Sequence, residues 1–395
     1  MGIDDYQAAV KQHGSIRAAA RALKMAESTL RDRLSGRPSR YDRGPVESVT
    51  REDQLESELR TLRNQMAATK REMLDEEFVK QRILKLAEAH AEPPKWLISA
   101  KPSKRCPGVP TLFASDLHWG EVVDPSQIGG VNEYDMAIAN RRIRRMIEVT
   151  IDLLSNHMVN PQYPGIVFAL GGDMVSGGIH EELMATDERE IMPVVLDLFG
   201  ALVWCIETLA DRFGRVFVPC VSGNHGRNTH KIRAKGRNYT SFDWLLYCFL
   251  AKRFEGDKRV SFLIPNGPDA LYRVYNTRYL LTHGDQFRGG DGMIGALGPI
   301  IRGDHKKRGR QAQIGAEYEV MMLGHWHQLI QLQRLIVNGS LKGYDEYAYS
   351  NNFGYEPPRQ ALWITHPSQG ITFSMPVNVD EPQMTKQSAW VSWTA

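Results

Sequence analysis

The sequence predicts an α/β protein, and two observations carry that expectation. Five stretches, 111–115, 165–170, 215–221, 279–282 and 320–323, are apolar and rich in β-branched or aromatic residues, the composition of buried strands. Each runs directly into residues with metal-ligand chemistry: Asp116-Leu-His118, Gly172-Asp173, Gly223-Asn224-His225, His283-Gly284-Asp285 and Gly324-His325-Trp326-His327. In α/β sheets ligands gather beyond the carboxyl ends of the strands, so the five segments are expected to converge on one edge of the core.

At 395 residues the chain is long enough for a catalytic domain with an appendage. Its 42% hydrophobic and 24% charged residues are ordinary for a globular protein. No apolar run approaches the roughly 18–20 residues of a membrane span, and no signal-peptide core is visible at the N-terminus. The net charge of +3 says little about partners. Cys106, Cys205, Cys220 and Cys248 are scattered without Cys-x-x-Cys spacing, and three of them sit in apolar segments, as expected of buried thiols in a reducing cytoplasm.

Residues 1–37 read as a small all-α unit with helices over 6–12, 15–23 and 27–34. The run from Gly14 to Leu34 resembles a bacterial or phage helix-turn-helix, which implies that 27–34 is the recognition helix and that Ser28, Arg31 and Arg33 face DNA. It departs from that pattern at Lys24, where Gly is usual, and at Ala26, where a capping Ser or Thr is usual. A helical dimerisation or docking module is the alternative. A basic linker, 38–46, leads into a long helix over 47–92. There Leu55, Leu59, Leu62, Met66 and Met73 follow a heptad seam, so residues 47–75 would pair two chains or pack as one amphipathic helix. The catalytic domain is expected over 107–379, closed by strands at 361–366 and 371–377, with a polar tail over 380–395.

The ordered set Asp-x-His, Gly-Asp, Gly-Asn-His, His and Gly-His-x-His, followed by Asn338-Gly-Ser-Leu341, resembles the calcineurin-like metallophosphoesterase superfamily. Val131-Asn-Glu-Tyr-Asp135, His283-Gly-Asp-Gln-Phe-Arg-Gly-Gly290 and Gly343-Tyr-Asp-Glu-Tyr347 resemble its phage or prophage members more narrowly. The resemblance implies a four-layer fold, a β-sandwich flanked by helices. It further implies that Asp116, His118 and His327 bind one metal ion and Asn224, His283 and His325 a second, with Asp173 bridging. It leaves His225 uncoordinated, as the catalytic residue for proton chemistry. The family's acid after that His is Gly226 here, so Asp285 or an acid of the 181–190 stretch would have to orient it.

Imidazole, carboxylate and amide ligands without thiolate suit two divalent ions, Mn²⁺ first, with Fe, Zn or Ni also compatible. Two carboxylates leave such a site net positive, which attracts a phosphate ester. Ions roughly 3.5–4 Å apart would deliver a bridging hydroxide to phosphorus. Basic residues cluster near the motifs: Arg227, Lys231, Arg233, Lys235 and Arg237 in one run, Lys306, Lys307 and Arg308 in another. They favour a polyanion, and the expected activity is a phosphodiesterase or nuclease acting on DNA. The alternatives are a phosphomonoesterase acting on nucleotides or phosphoproteins, and a non-catalytic DNA-binding regulator. Tyr344, Tyr347, Tyr349, Phe353 and Tyr355 would stack on bases or pack a loop over the cleft.

Overall fold

Short apolar strands pair into two mixed sheets in this computed structural model, which describes residues 2–35, 94–98, 108–158, 161–179, 181–288 and 297–381. The linker, the long helix with its heptad seam, His180 and the residues from 382 onward lie outside the described residues. The first sheet contains β1 (Val109–Ala114), β2 (Ile166–Leu170), β3 (Val216–Pro219), β4 (Val260–Leu263), β10 (Arg359–His366) and β11 (Gly370–Asn378). The second contains β5 (Asp269–Val274), β6 (Thr277–Thr282), β7 (Val320–Leu323), β8 (Ile330–Leu332) and β9 (Leu335–Val337). Their orders are β11-β10-β1-β2-β3-β4 and β5-β6-β7-β9-β8. Strands β1 to β4 run parallel, as do β6, β7 and β9.

Alternate side chains of each strand point to opposite faces, and here both faces are covered. Phe113, Val167, Ala169 and Phe217 meet Tyr272, Tyr279, Leu281 and Met322 between the sheets. On the other side of the first sheet, Leu112, Phe168 and Val218 pack under α5 (Met136–Ser155), α7 (Ile191–Phe213) and α8 (Phe242–Arg253). Beyond the second sheet, Leu280, Met321 and Leu323 pack with Ile300 of α9 (Leu297–Gln313). Helix, sheet, sheet and helix make the four layers. At 23 residues α7 is long and apolar enough to cross a membrane, although its charged residues break the apolar run in the sequence. Its Val194, Leu198, Leu202, Ile206 and Leu209 are buried against the first sheet, as in a core helix.

The remaining helices of this domain are α4 (Lys95–Ile98), α6 (Glu181–Thr186) and α10 (Glu346–Ser350). The N-terminal residues form a separate unit of α1 (Ile3–His13), α2 (Ile16–Ala22) and α3 (Glu27–Leu34) around Tyr6, Ala19, Ala20 and Leu30. Lys24 takes the left-handed conformation, φ 51°, that glycine would supply at this turn. Ala26 starts α3 without a side-chain cap. Ser28 is exposed, and exposed Arg31 pairs with Glu27 at 3.0 Å. Arg33, also expected to face DNA, is half-buried. Its Nη1 donates to Tyr6 Oη at 2.8 Å, tying α3 to α1.

Candidate metal centre

The five polar segments do reach one edge, and each does so by an abrupt turn at the end of its strand. Asp116, His118, Asp173, His325 and His327 have φ between 46° and 69°. They make up five of the eight non-glycine residues with positive φ among the described residues. Such conformations cost roughly 1–3 kcal/mol each and persist where the surroundings over-determine them. Glycine would remove the strain but carries no ligand atom. The turns are held by Asp116 N–H to Gly172 O at 3.0 Å, His118 N–H to Asp173 O at 3.1 Å and Gly324 N–H to His283 O at 3.0 Å. Buried Asn338 adds donations to Phe113 O and Ser115 Oγ at 3.0 and 2.9 Å.

The side chains fall into two sets. In one, His118 Nε2 lies 3.1 Å from His327 Nε2, and Asp116 Oδ1 lies 3.4 Å from the same His327 nitrogen. In the other, His283 Nε2 lies 2.9 Å from Asp173 Oδ2 and 3.2 Å from Asn224 Oδ1. His325 joins Asp173 and His283, with donor atoms all within 4.8 Å of one another. Asp173 is also grouped with His118 and His225 by the same measure, so it touches both sets. Asp116, Asp173, His118 and His283 are essentially inaccessible to solvent.

Outer partners fix which atoms face inward. His283 Nδ1 sits 2.9 Å from Gly171 O, which can only accept, so the proton is on Nδ1 and Nε2 turns toward a carboxylate and an amide oxygen. Glu121 Oε2 is 3.1 Å from His118 Nδ1 and draws the proton of that ring to its outer side. Two buried sets of acceptors therefore confront one another, an arrangement that is favourable only with positive charge between them. Burial alone would lower His283, but the Asp173 and Asp116 carboxylates push it up to about 10. Burial likewise raises Asp173, and the His283 and His225 rings outweigh it and hold the carboxyl well below its usual range. This donor set fits divalent cations, with no thiolate among it.

Three supporting residues were not found from the sequence. Buried Asp243, at the start of α8, accepts from Asp173 N, Met174 N and Gly223 N at 3.0, 3.2 and 2.9 Å, joining two ligand turns. Burial, with the Asp173 charge, pushes it up to about 6. A lone acid in the apolar run around 243 was the available signal. The others are Glu121 and Lys342. Buried Lys342 Nζ lies 2.7 Å from Glu121 Oε1 and 2.5 Å from Asp345 Oδ2. The ligand turns also touch each other closely: a Cβ on Gly223 would lie 2.0 Å from Asp173 Oδ1 and 2.3 Å from Asp173 N. Gly223→Ala is therefore expected to weaken metal binding roughly 10–100-fold, the scale of disturbed outer-shell support, read by calorimetric titration with Mn²⁺.

The basic residues divide. Lys231, Arg233 and Lys306 are exposed as expected. Lys307 is buried and Arg308 half-buried, each in internal contacts. Lys307 Nζ is buried against Asp269 Oδ1, Gln286 Oε1 and Thr282 Oγ1 at 2.5, 2.7 and 3.1 Å. Arg308 pairs with Asp304 at 2.8 Å and lies over the Tyr318 ring. Arg227 folds back on its own loop, donating to Asn224 O at 2.6 Å and Thr229 O at 3.0 Å. It still lines a small hollow beside Asn224 together with Arg233 and Arg237. Asp285, one of the acids expected to orient His225, pairs with Arg237 at 2.8 and 3.0 Å. Tyr347, Tyr349, Phe353 and Tyr355 are exposed, and within their loop Tyr347 packs edge-on to Phe353 and Tyr355 against Tyr344.

No family model matches the chain, and no curated protein matches it. Among solved structures, a Vps29 single mutant of Entamoeba histolytica is 12% identical with a TM-score of 0.27, covering 69% of this chain and 100% of its own. A conserved protein of Streptococcus pneumoniae, named a predicted phosphoesterase, is 11% identical with a TM-score of 0.26, covering 68% and 97%. A Staphylococcus aureus protein named as a 5′-nucleotidase is 11% identical with a TM-score of 0.32, covering 71% of this chain and 56% of its own. Likeness at those scores carries no argument about activity, and the case for one rests on the side chains.

Proposed function

We propose that the chain is a dinuclear-metal phosphoesterase, and that its substrates are phosphodiesters of nucleic acid. The observation that carries this reading is the pair of acceptor sets meeting at Asp173. Asp116, His118 and His327 would hold one divalent ion and Asn224, His283 and His325 the other, with Asp173 shared. When bound, such ions supply Lewis acidity and acidified water for in-line attack on phosphorus. The residues themselves account for the rest. Two carboxylates among neutral ligands keep the centre cationic, so it attracts an anionic ester and opposes the charge that grows at phosphorus.

His225 is the proton carrier in this reading. Its backbone N–H donates to Asp173 Oδ1 at 2.7 Å, which sets the ring beside the centre. Burial pushes the ring down to about 3, so it stays neutral until an anionic ester approaches and favours the protonated form. Nδ1 lies 3.0 Å from the Ser176 carbonyl, so this reading assigns Nε2 to pass the proton to the leaving oxygen. Exposed Lys231, Arg233 and Lys306 support a polyanionic substrate. On the same reading the three-helix unit holds DNA through Ser28 and Arg31.

Turnover of bis-p-nitrophenyl phosphate with Mn²⁺ tests the proposal, and His225→Ala is expected to lower kcat about 10²–10⁴-fold. Linear and circular DNA should be cut by the same protein with the same loss. Activity on p-nitrophenyl phosphate alone would replace the diesterase by a phosphomonoesterase. No turnover with any divalent metal would leave a DNA-binding protein without catalysis.

A further inference from the structure

We propose that Ser176, locked in place by Asp187, is the positioning residue that aims the His225 ring, replacing the acid this chain lacks at Gly226. The inference rests on the reading of His225 as proton carrier. His225 Nδ1 lies 3.0 Å from Ser176 O. A carbonyl only accepts, so the ring must carry its proton on Nδ1 and present Nε2 to the reaction. Ser176 is fully buried and held at every polar atom. Its N–H donates to Trp119 O at 3.0 Å, and its Oγ donates to Asp187 Oδ1 at 2.8 Å.

Asp187 is itself pinned just beyond α6: its N–H donates to Leu183 O, and the neighbouring Glu188 N–H donates to Gly120 O, both at 2.8 Å. The peptide after Ser176 lies flush on the ring's own backbone. Gly177 has φ 73°, and a Cβ there would sit 2.0 Å from His225 O. Space also explains why the orienting group is not at residue 226. A Cβ on Gly226 would lie 2.7 Å from Asp243 Oδ1, so the place of a side chain is taken by the carboxylate that ties the ligand turns. Asp285, the other nearby acid, is neutralised by Arg237. A carbonyl in place of a carboxylate fixes the tautomer without adding charge.

The test uses the full chain and the variants Ser176→Ala, Asp187→Ala and Asp187→Asn. With Mn²⁺, Ser176→Ala and Asp187→Ala are expected to lower kcat roughly 10–100-fold with KM little changed, the scale of lost outer-shell orientation. The loss should be greater for diphenyl phosphate, a poor leaving group that needs the proton, than for bis-p-nitrophenyl phosphate. Asp187→Asn, whose amide oxygen still accepts from Ser176 Oγ, should recover most of what Asp187→Ala loses. Independently of turnover, ¹⁵N spectra of the metal-free protein, assigned by difference with His225→Ala, should show His225 protonated at Nδ1. That proton should exchange slowly in the wild-type protein and in Asp187→Asn, and fast in Ser176→Ala and Asp187→Ala. An Nε2-protonated ring in the wild-type protein, or an exchange rate untouched by both alanines, would overturn the proposal even if the chain proves inactive. Equal losses on both esters, with the spectra as expected, would keep Ser176 as the support and remove the proton-carrier role it was meant to serve.

Discussion

Asp173→Asn is expected to lower Mn²⁺-dependent turnover by about 10³-fold, or about 4 kcal/mol of transition-state stabilisation. Removing one preorganised electrostatic group from an active site already costs about 10²–10³-fold, and Asp173 does more than one job. One oxygen faces His283 Nε2 at 2.9 Å, and the other accepts the His225 backbone N–H at 2.7 Å. It is also the residue common to both acceptor sets. An amide offers one acceptor oxygen where the carboxylate offers two, so it cannot both accept the His225 N–H and turn a second oxygen toward the centre. The centre would also lose one of its two carboxylate charges. Steady-state kinetics over a range of Mn²⁺ concentrations checks this. A variant restored to wild-type rates by more metal would mean that Asp173 serves affinity alone.

Lys342→Met is expected to destabilise the protein by roughly 3–5 kcal/mol, the cost of breaking a buried ion pair by removing one partner. Lys342, Glu121 and Asp345 are all nearly inaccessible, and without the ammonium two carboxylates would stay buried together. Burial would raise Glu121, but the Lys342 charge and the His118 contact hold it low. Burial would lower Lys342, and Asp345 and Glu121 hold it high. The signs follow from linkage. The depressed Glu121 contributes stability above its unfolded value near about pH 4.3 and loses it as pH falls further, whereas the raised Lys342 contributes below about pH 10.4 and loses it as pH rises. The network is therefore at full strength across neutral pH. Denaturant melts at pH 7 should show the loss for Lys342→Met, and Glu121→Gln added to it should return part of the stability. Because Glu121 contacts His118, the single variant should also weaken metal binding.

The core strands, and the polar segments that follow them, were legible because the strands lie between covered faces. Strands β1, β2, β3, β6 and β7 are continuous apolar runs, and each ends where ligand types begin. Strands β4, β5 and β8 escaped because they are sheet edges with partly exposed residues, and β9 because it is three residues long. The outer support of the site was hidden for a different reason. Glu121 and Lys342 are 221 residues apart, and no local pattern announces that they will share a buried pair.

The basic run in α9 misled because adjacency in sequence is not adjacency in space. A helix turns about 100° per residue, which puts Lys306 outward and Lys307 inward onto Asp269. The missing acid at Gly226 was legible as an absence. What replaces it, a main-chain carbonyl, has no sequence signature at all. The positive φ values at Asp116, His118, Asp173, His325 and His327 were equally unreadable: Asp and His enter the left-handed region more often than most side chains do, but still in only a small minority of positions.

Counting the Mn²⁺ ions bound per chain at equilibrium, in the wild-type protein and in Asp173→Asn, tests the central claim most directly. Two ions per chain in the wild type, with Asp173→Asn unable to hold both at the same concentration, is the predicted result. A single ion, or none, in the folded wild-type protein would contradict a dinuclear centre built on Asp173.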